Sequence, residues 1–315
     1  MRLPRSFGLL LISMVSASLL VVMSRSSHQV QAAPLVGLYE YQPTTAQRGQ
    51  FGIAVMFLDW NDPQAVPLVR KFLSEAQQQR RLPLLSLEPF PDRAAGRSNG
   101  DLLGDVIGGR QDQRLLAIGR ELANHPGPVL LRFAHEMDKP GQYPWSFADP
   151  SHYLRLYHAV HDKVSTLKAT NIHWVWSPIG SPRADRYWPG DHYVDVIGLS
   201  IYASRAWNQD RTLDSFADIL HRQQWLHRRY GRPLLVAEAG VSGPSADQRQ
   251  WLTEALQTIG SSAEVCGLVY FQAPQPRWMP LPTGHEEWQL KPPALQWFLQ
   301  QLPLSLRGRP SCVAG

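Results

Sequence analysis

Residues 129–137 read Val129-Leu130-Leu131-Arg132-Phe133-Ala134-His135-Glu136-Met137. The stretch begins as an apolar run and ends in a carboxylate. A continuous apolar run suits a strand covered on both faces, as in a parallel sheet. Pro126-Gly127-Pro128 punctuates its start. Alternation along a strand places Arg132, Ala134 and Glu136 on one face. In a closed barrel that face is the interior. Glu136 then sits at the C-terminal rim, where such barrels carry their chemistry. A second stretch has the same form: Pro233-Leu234-Leu235-Val236-Ala237-Glu238-Ala239-Gly240. Two buried strands that each end in a glutamate supply the carboxylate pair that hydrolysis of a glycosidic bond requires.

Working outward from these two, eight strand-like runs appear, at 35–39, 52–60, 82–90, 129–136, 172–177, 194–202, 234–238 and 265–272. Most are rich in Val, Ile, Leu and aromatics and are bounded by Pro, Gly, Asn or Asp. Helical patterns lie between many of them, at 64–80, 112–124, 151–168, 213–230, 245–259 and 293–302. Asp62-Pro63 and Asp149-Pro150 read as cap and first-turn proline, and Gly231 and Gly260 as stops. The connections at 42–50 and 180–193 read as irregular. Eight β units with mostly helical crossovers predict an α/β fold, a (β/α)8 TIM barrel, as a single domain over residues 33–315. A doubly wound open sheet has the same alternation, but no glycine-rich phosphate fingerprint follows the first strand.

The first 32 residues are set apart. Arg2 and Arg5 precede a 16-residue apolar segment (8–23), and Val30-Gln31-Ala32 resembles a small-residue cleavage site. Residues 1–32 are therefore read as a signal peptide or an uncleaved signal anchor. The protein is expected to be exported, periplasmic or secreted, with a membrane tether if the segment stays attached.

The net charge of +5 over 315 residues owes three units to arginines in this segment, leaving +2 for the rest. With no dense basic run, nucleic-acid binding is not expected. Hydrophobic residues at 43% and charged residues at 18% exclude a disordered chain. Cys266 and Cys312 permit one disulfide in an exported protein, tying the C-terminal tail to the body, or two unpaired thiols. Eleven Trp serve either core packing or stacking on flat ligands such as sugar rings. A monomer is expected.

The predicted strands end on Glu40 and Tyr41, Asp59 and Trp60, Glu88, His135 and Glu136, Trp176, Tyr202, Glu238 and Gln272. Acids and aromatics dominate this set. Strands four and seven of eight face each other across a barrel mouth, so Glu136 and Glu238 form a reasonable pair. Arg132 is an interior cation that favours an ionised partner. The competing structural roles are ordinary ones. Glu136 forms a salt bridge with Arg132 or Lys139; Asp59 and Glu88 orient an arginine. Tyr202 and Trp176 plug the barrel top, and Trp145 packs a loop. His152, His158, His161 and His221 fall in helical runs and read as surface or interface residues. His135 lacks a second histidine four residues on and no metal-type cluster surrounds it, so no metal is expected there; a two-carboxylate hydrolysis requires no cofactor.

Several of these segments carry a family resemblance. The stretch from Leu131 to Met137 resembles the strand-four motif of glycoside hydrolase family 26. Trp174-Val175-Trp176-Ser177-Pro178 resembles its strand five, and residues 187–202, with Pro189-Gly190-Asp191 and Val194-Asp195-Val196-Ile197-Gly198, its strand six. Ala237-Glu238-Ala239-Gly240 resembles strand seven, and Leu87-Glu88-Pro89 the end of strand three. The likeness spans about residues 36–290. The family comprises retaining (β/α)8 enzymes best known as β-1,4-mannanases, with members acting on β-1,3-xylan or mixed-linkage β-glucan.

The resemblance implies Glu136 as acid/base and Glu238 as nucleophile. It implies His135, Trp145, Trp176, Tyr202 and Trp288 in the site, with Glu88 and Asp59 as rim acids that bind substrate. Trp288 would stack on a sugar, as would Trp145 and Trp176. Tyr202 would touch the nucleophile, and His135 would hydrogen-bond within the site. The implied partner is a polysaccharide or oligosaccharide. One departure bears on specificity. After His-Glu-Met the mannanases continue Asn-Gly and then Trp, whereas this chain has Asp138-Lys139-Pro140-Gly141-Gln142-Tyr143-Pro144-Trp145. The altered loop keeps a second expectation open, that the barrel binds or processes a polysaccharide in exopolysaccharide production with weak or absent hydrolysis.

Overall fold

The computed structural model describes residues 35–40, 51–275, 286–302 and 311–313. The predicted signal segment and the connection at 42–50, with Tyr41, lie outside the described residues. Contacts gather residues 32–315 into one compact unit. Among the described residues, no helix is long and apolar enough to cross a membrane.

Eight parallel strands close into a barrel in sequence order. They are β1 (Leu35–Glu40), β2 (Ile53–Asp59), β3 (Leu82–Glu88), β4 (Val129–Phe133), β5 (Ile172–Trp176), β6 (Val196–Ala203), β7 (Leu234–Val241) and β8 (Val265–Gln272). The helices are α1 (Ala65–Gln78), α2 (Leu102–Ile107), α3 (Asp112–Ala123), α4 (Pro150–Ser165), α5 (Phe216–Gln223), α6 (Trp225–Tyr230), α7 (Ser245–Ser261) and α8 (Pro292–Gln301). This is the (β/α)8 barrel predicted from the runs.

Two helical details differ from the prediction. The run at 213–230 divides into α5 and α6 at Gln224, and α2 has no counterpart in the pattern reading. The connection at 180–193 holds two short 3₁₀ turns. Asp149 caps α4 by accepting from the Ser151 amide at 2.9 Å, with Pro150 in the first turn.

Strand parity divides the core in two. Ile53, Leu84, Leu130, Val175, Val196 and Leu235 pack together inside the barrel. Their neighbours Leu131, Phe133, Trp174, Trp176, Leu199 and Val236 belong to the outer cluster, beneath the helices. Each strand therefore buries both faces, which is why the sequence shows continuous apolar runs. Cys266 and Cys312 join the inner cluster and are bonded to each other. The disulfide ties the start of β8 to residues 311–313.

Candidate active site

Arg132 is the first interior position of β4 above Leu130, and it is fully buried. Its Nη1 donates to Glu238 Oε1 at 2.5 Å and reaches Ser86 Oγ of β3 at 3.4 Å. The pair crosses the barrel from β4 to β7.

Parity along β7 would not deliver Glu238 to that partner. Leu235 and Ala237 face inward, so the next residue should face the helices. The register slips there: Leu199 pairs with Val236, but Ser200 pairs with Glu238. On the other side Val236 pairs with Leu268 and Ala239 with Tyr270. This bulge turns Glu238 inward, a common device for re-aiming a side chain beside an active site. Tyr202 of β6 then donates its hydroxyl to Glu238 Oε2 at 2.6 Å. Both oxygens of Glu238 thus accept a hydrogen bond, an arrangement suited to an ionised carboxylate of fixed orientation. Gly240 leaves room for the Tyr202 ring, since a Cβ there would lie 2.6 Å from Tyr202 Cε1.

Glu136 reaches the rim by a different route. β4 ends at Phe133, short of the predicted 136, because Ala134 and Glu136 take left-handed backbone angles, φ +50° and +55°. Their amides are satisfied by neighbouring strands: Ala134 donates to Leu87 O at 3.2 Å and Glu136 to Ser177 O at 2.7 Å. Burial, and next the charge of Glu238, push the Glu136 carboxyl up to about 7. One member of the pair is held by two donors; the other is held near neutrality by its surroundings. That division suits a nucleophile and a general acid.

Asp59 and Glu88 lie side by side in register at the ends of β2 and β3. Burial pushes Glu88 up to about 8, helped by the charge of Glu238. Asp59 is raised too, mainly by burial, against an opposing hydrogen bond from the Asn61 amide. An open cleft of about 570 Å³ lies beside Asp59, lined also by Asn61, Asp62, Phe90 and Asp92; Glu88, Glu136 and Glu238 do not line it.

His135 is buried, with its ring edge-on to Phe57 and Tyr143, and burial holds its pKa well below the ordinary value. The expectation that it hydrogen-bonds within the site is not met at Nδ1, which has no partner. Among the described residues no group of three His, Cys, Asp or Glu side chains is placed to hold a metal.

The tryptophans require correction. Trp176 is fully buried and has the parity of Trp174, opposite to Val175, so it points at the helices and packs edge-on to Trp188 and Tyr230. Trp145 is also fully buried: it stacks on Tyr143 at 4.6 Å and donates to His135 O at 2.6 Å. Neither presents a face to a sugar. Trp288, expected to stack on a sugar, is likewise enclosed at 2% exposed; it donates to Gln275 Oε1 at 2.7 Å and packs 4.7 Å from Tyr202. Trp207 is a further tryptophan, outside the residues expected at the site. It is 40% exposed, on the loop after β6, with its ring 5.6 Å from Trp288. Its exposure has no sequence signal, since it depends on which neighbours the loops supply.

The closed barrel gathers acidic side chains at its C-terminal rim, the end where barrels of this fold carry their chemistry. The sequence model of glycosyl hydrolase family 26 matches residues 109–227. A β-1,3-xylanase of a Vibrio species is 29% identical over 147 residues, covering 45% of this chain and 29% of the relative. Endoglucanase H of Acetivibrio thermocellus is 23% identical over 240 residues, covering 71% of this chain and 25% of the relative. The matched region thus spans about a third or less of these relatives. Among solved structures, a family 26 β-mannanase from Bacteroides ovatus superposes with a TM-score of 0.62 at 14% identity, covering 88% of this chain and 90% of that one. A family 26 protein from a Muricauda species gives 0.61 at 16% identity, covering 89% and 91%. At these identities the structures speak for the fold.

Proposed function

We propose that this protein is an exported, endo-acting, retaining β-glycanase that cleaves a β-linked polysaccharide by double displacement. Glu136 protonates the leaving oxygen while Glu238 attacks the anomeric carbon, forming a glycosyl-enzyme. Glu136 then takes a proton from water as that water releases the sugar. The observation that carries this reading is the asymmetry of the pair. Glu238 is fixed by Arg132 and Tyr202, while Glu136 is raised to about 7 by burial and Glu238. Arg132 and Tyr202 compensate the nucleophile before attack and release it as its charge passes into the ester bond.

The substrate class is drawn from the relatives: β-1,3-xylan, β-glucan or β-mannan. Asp59, which lines the cleft, and Glu88, its register neighbour, would hydrogen-bond sugar hydroxyls. With Trp145 and Trp176 enclosed, the exposed face suited to stacking belongs to Trp207, backed by Trp288. Packing of the C–H face of a sugar ring on such a side chain contributes on the order of 1 kcal/mol by burial of apolar surface, so Trp207→Ala should raise KM several-fold with little change in kcat, read from steady-state kinetics on the cleaved glycan. Equal KM values would remove Trp207 from the binding surface. Export is supported by the basic and then apolar character of residues 1–32 and by the Cys266–Cys312 bond, which suits an oxidising compartment.

The mechanism is tested by proton NMR of the first product anomer. Retention predicts that the β-anomer forms first and then mutarotates. Initial α-anomer would mean inversion, and Glu238 would not be a nucleophile.

A further inference from the structure

The loop that departs from the mannanase pattern is built around one contact. Gln142 Nε2 donates to Glu136 Oε2 at 2.5 Å. The surrounding loop is fixed from three directions. Asp138 accepts from the Ile179 amide at 2.7 Å, the Ser181 amide at 3.1 Å and Ser181 Oγ at 2.8 Å, tying the loop to the segment after β5. Trp145 bonds His135 O, and Ser146 Oγ reaches Glu136 O at 3.3 Å. Gly141, at φ +81°, donates to Ser146 O at 2.9 Å and closes the turn that carries Gln142 inward. The turn brings the long amide of Gln142 to the carboxyl of Glu136.

We infer that Gln142 is a positioning residue for Glu136, holding Oε2 as an acceptor so that the transferable proton resides on Oε1. This rests on the proposed role of Glu136 as acid/base. An oxygen that already accepts from an amide N–H is the poorer site for a proton, because the two hydrogens would meet. In the first half-reaction the proton leaves Oε1 for the glycosidic oxygen as the carbon–oxygen bond breaks. In the second, Oε1 receives a proton from the attacking water. Gln142 keeps the same contact throughout, and the contact is stronger when Glu136 is ionised.

Other groups bearing on Glu136 are Glu238 of β7, Glu88 of β3 and Asp138 of its own loop, all of which oppose its ionisation. The Ser200 hydroxyl of β6 and then Arg132 of β4 favour it, and the phenols of Tyr143 and Tyr202 flank it. None is altered in Gln142→Met, which keeps the length of the side chain and removes the donor.

The test is carboxyl carbon NMR of 13C-labelled protein, with the Glu136 signal assigned by its loss in Glu136→Gln. Loss of a hydrogen bond to the charged form should raise the Glu136 midpoint by about one pH unit in Gln142→Met. Gln142→Glu, nearly identical in shape, should raise it further by adding a like charge. In turnover, the alkaline limb of kcat/KM should move up by the same amount, with kcat reduced about tenfold. A midpoint that stays in place or falls in Gln142→Met, whatever happens to kcat, overturns the assignment. The NMR readout needs no substrate, so the failure of this inference and the failure of the glycanase reading are separable.

Discussion

Glu136 and Glu238 are chemically identical side chains made different by what surrounds them. One meets a guanidinium and a phenol; the other meets burial and its partner's charge. Two consequences follow for pH. An acid with a midpoint of about 7 must be protonated to act, so kcat/KM should decline as pH rises through about 7. A profile flat to pH 9 would contradict the assignment of Glu136 as the acid.

For stability, Glu88 and Glu136 are both raised in the fold above the ordinary 4.5, to about 8 and about 7. Folding favours their neutral forms, so the contribution is fully present below pH 4.5 and is lost as pH rises through 7 to 8. The melting temperature should therefore fall between pH 5 and 8. Glu88→Gln, which resembles the neutral acid, should flatten part of that fall. Superimposable melting curves for the two proteins across this range would show that Glu88 is not held neutral.

Among the elements, β4 and β7 are where the chain departs from regular geometry, and both departures deliver a carboxylate. Alternation along β4 placed Glu136 on the face of Arg132, and the residue does reach the same rim. It does so through two left-handed residues beyond the strand end, which no propensity of Ala or Glu announces. Along β7, parity from Leu235 points Glu238 the wrong way, and only the bulge corrects it.

Apolar runs and their terminating acids were thus legible because burial on two faces demands them. The bulge and the strained turn were not, because they depend on register with neighbouring strands. Trp176 was misassigned although a signal existed: it shares parity with Trp174 and lies opposite Val175, so a parity count along β5 points it outward. Gln142 could not be recognised before its loop was seen to fold back on Glu136. The turn itself is testable. Ala134→Val places a β-branched residue at φ +50° and should cost about 1–2 kcal/mol, measured by urea denaturation, and lower kcat by misplacing Glu136. A variant as stable and as active as the parent would show that the turn relaxes freely.

At the scale of the whole molecule, stability and chemistry are placed at different ends. The carboxylates occupy the C-terminal rim, whereas the disulfide joins the start of β8 to a segment 46 residues on. Loop-closure entropy for that separation is about 4 kcal/mol. The double variant Cys266→Ser/Cys312→Ser should lose stability on that order in denaturant titration while kcat is unchanged at temperatures where it stays folded. A fall in kcat without unfolding would show that the tail reaches the site.

The proposal to test is a glycanase whose chemistry belongs to Glu136 and Glu238. It is tested most directly by reducing-sugar release from β-mannan, mixed-linkage β-glucan and β-1,3-xylan by the parent protein, Glu136→Ala and Glu238→Ala. Release from one of these classes is expected, lowered by about 10²–10⁴-fold in Glu136→Ala and abolished in Glu238→Ala with glycan binding retained. Release that persists in Glu238→Ala would contradict it, and binding without release by the parent protein would make the barrel a polysaccharide-binding one instead.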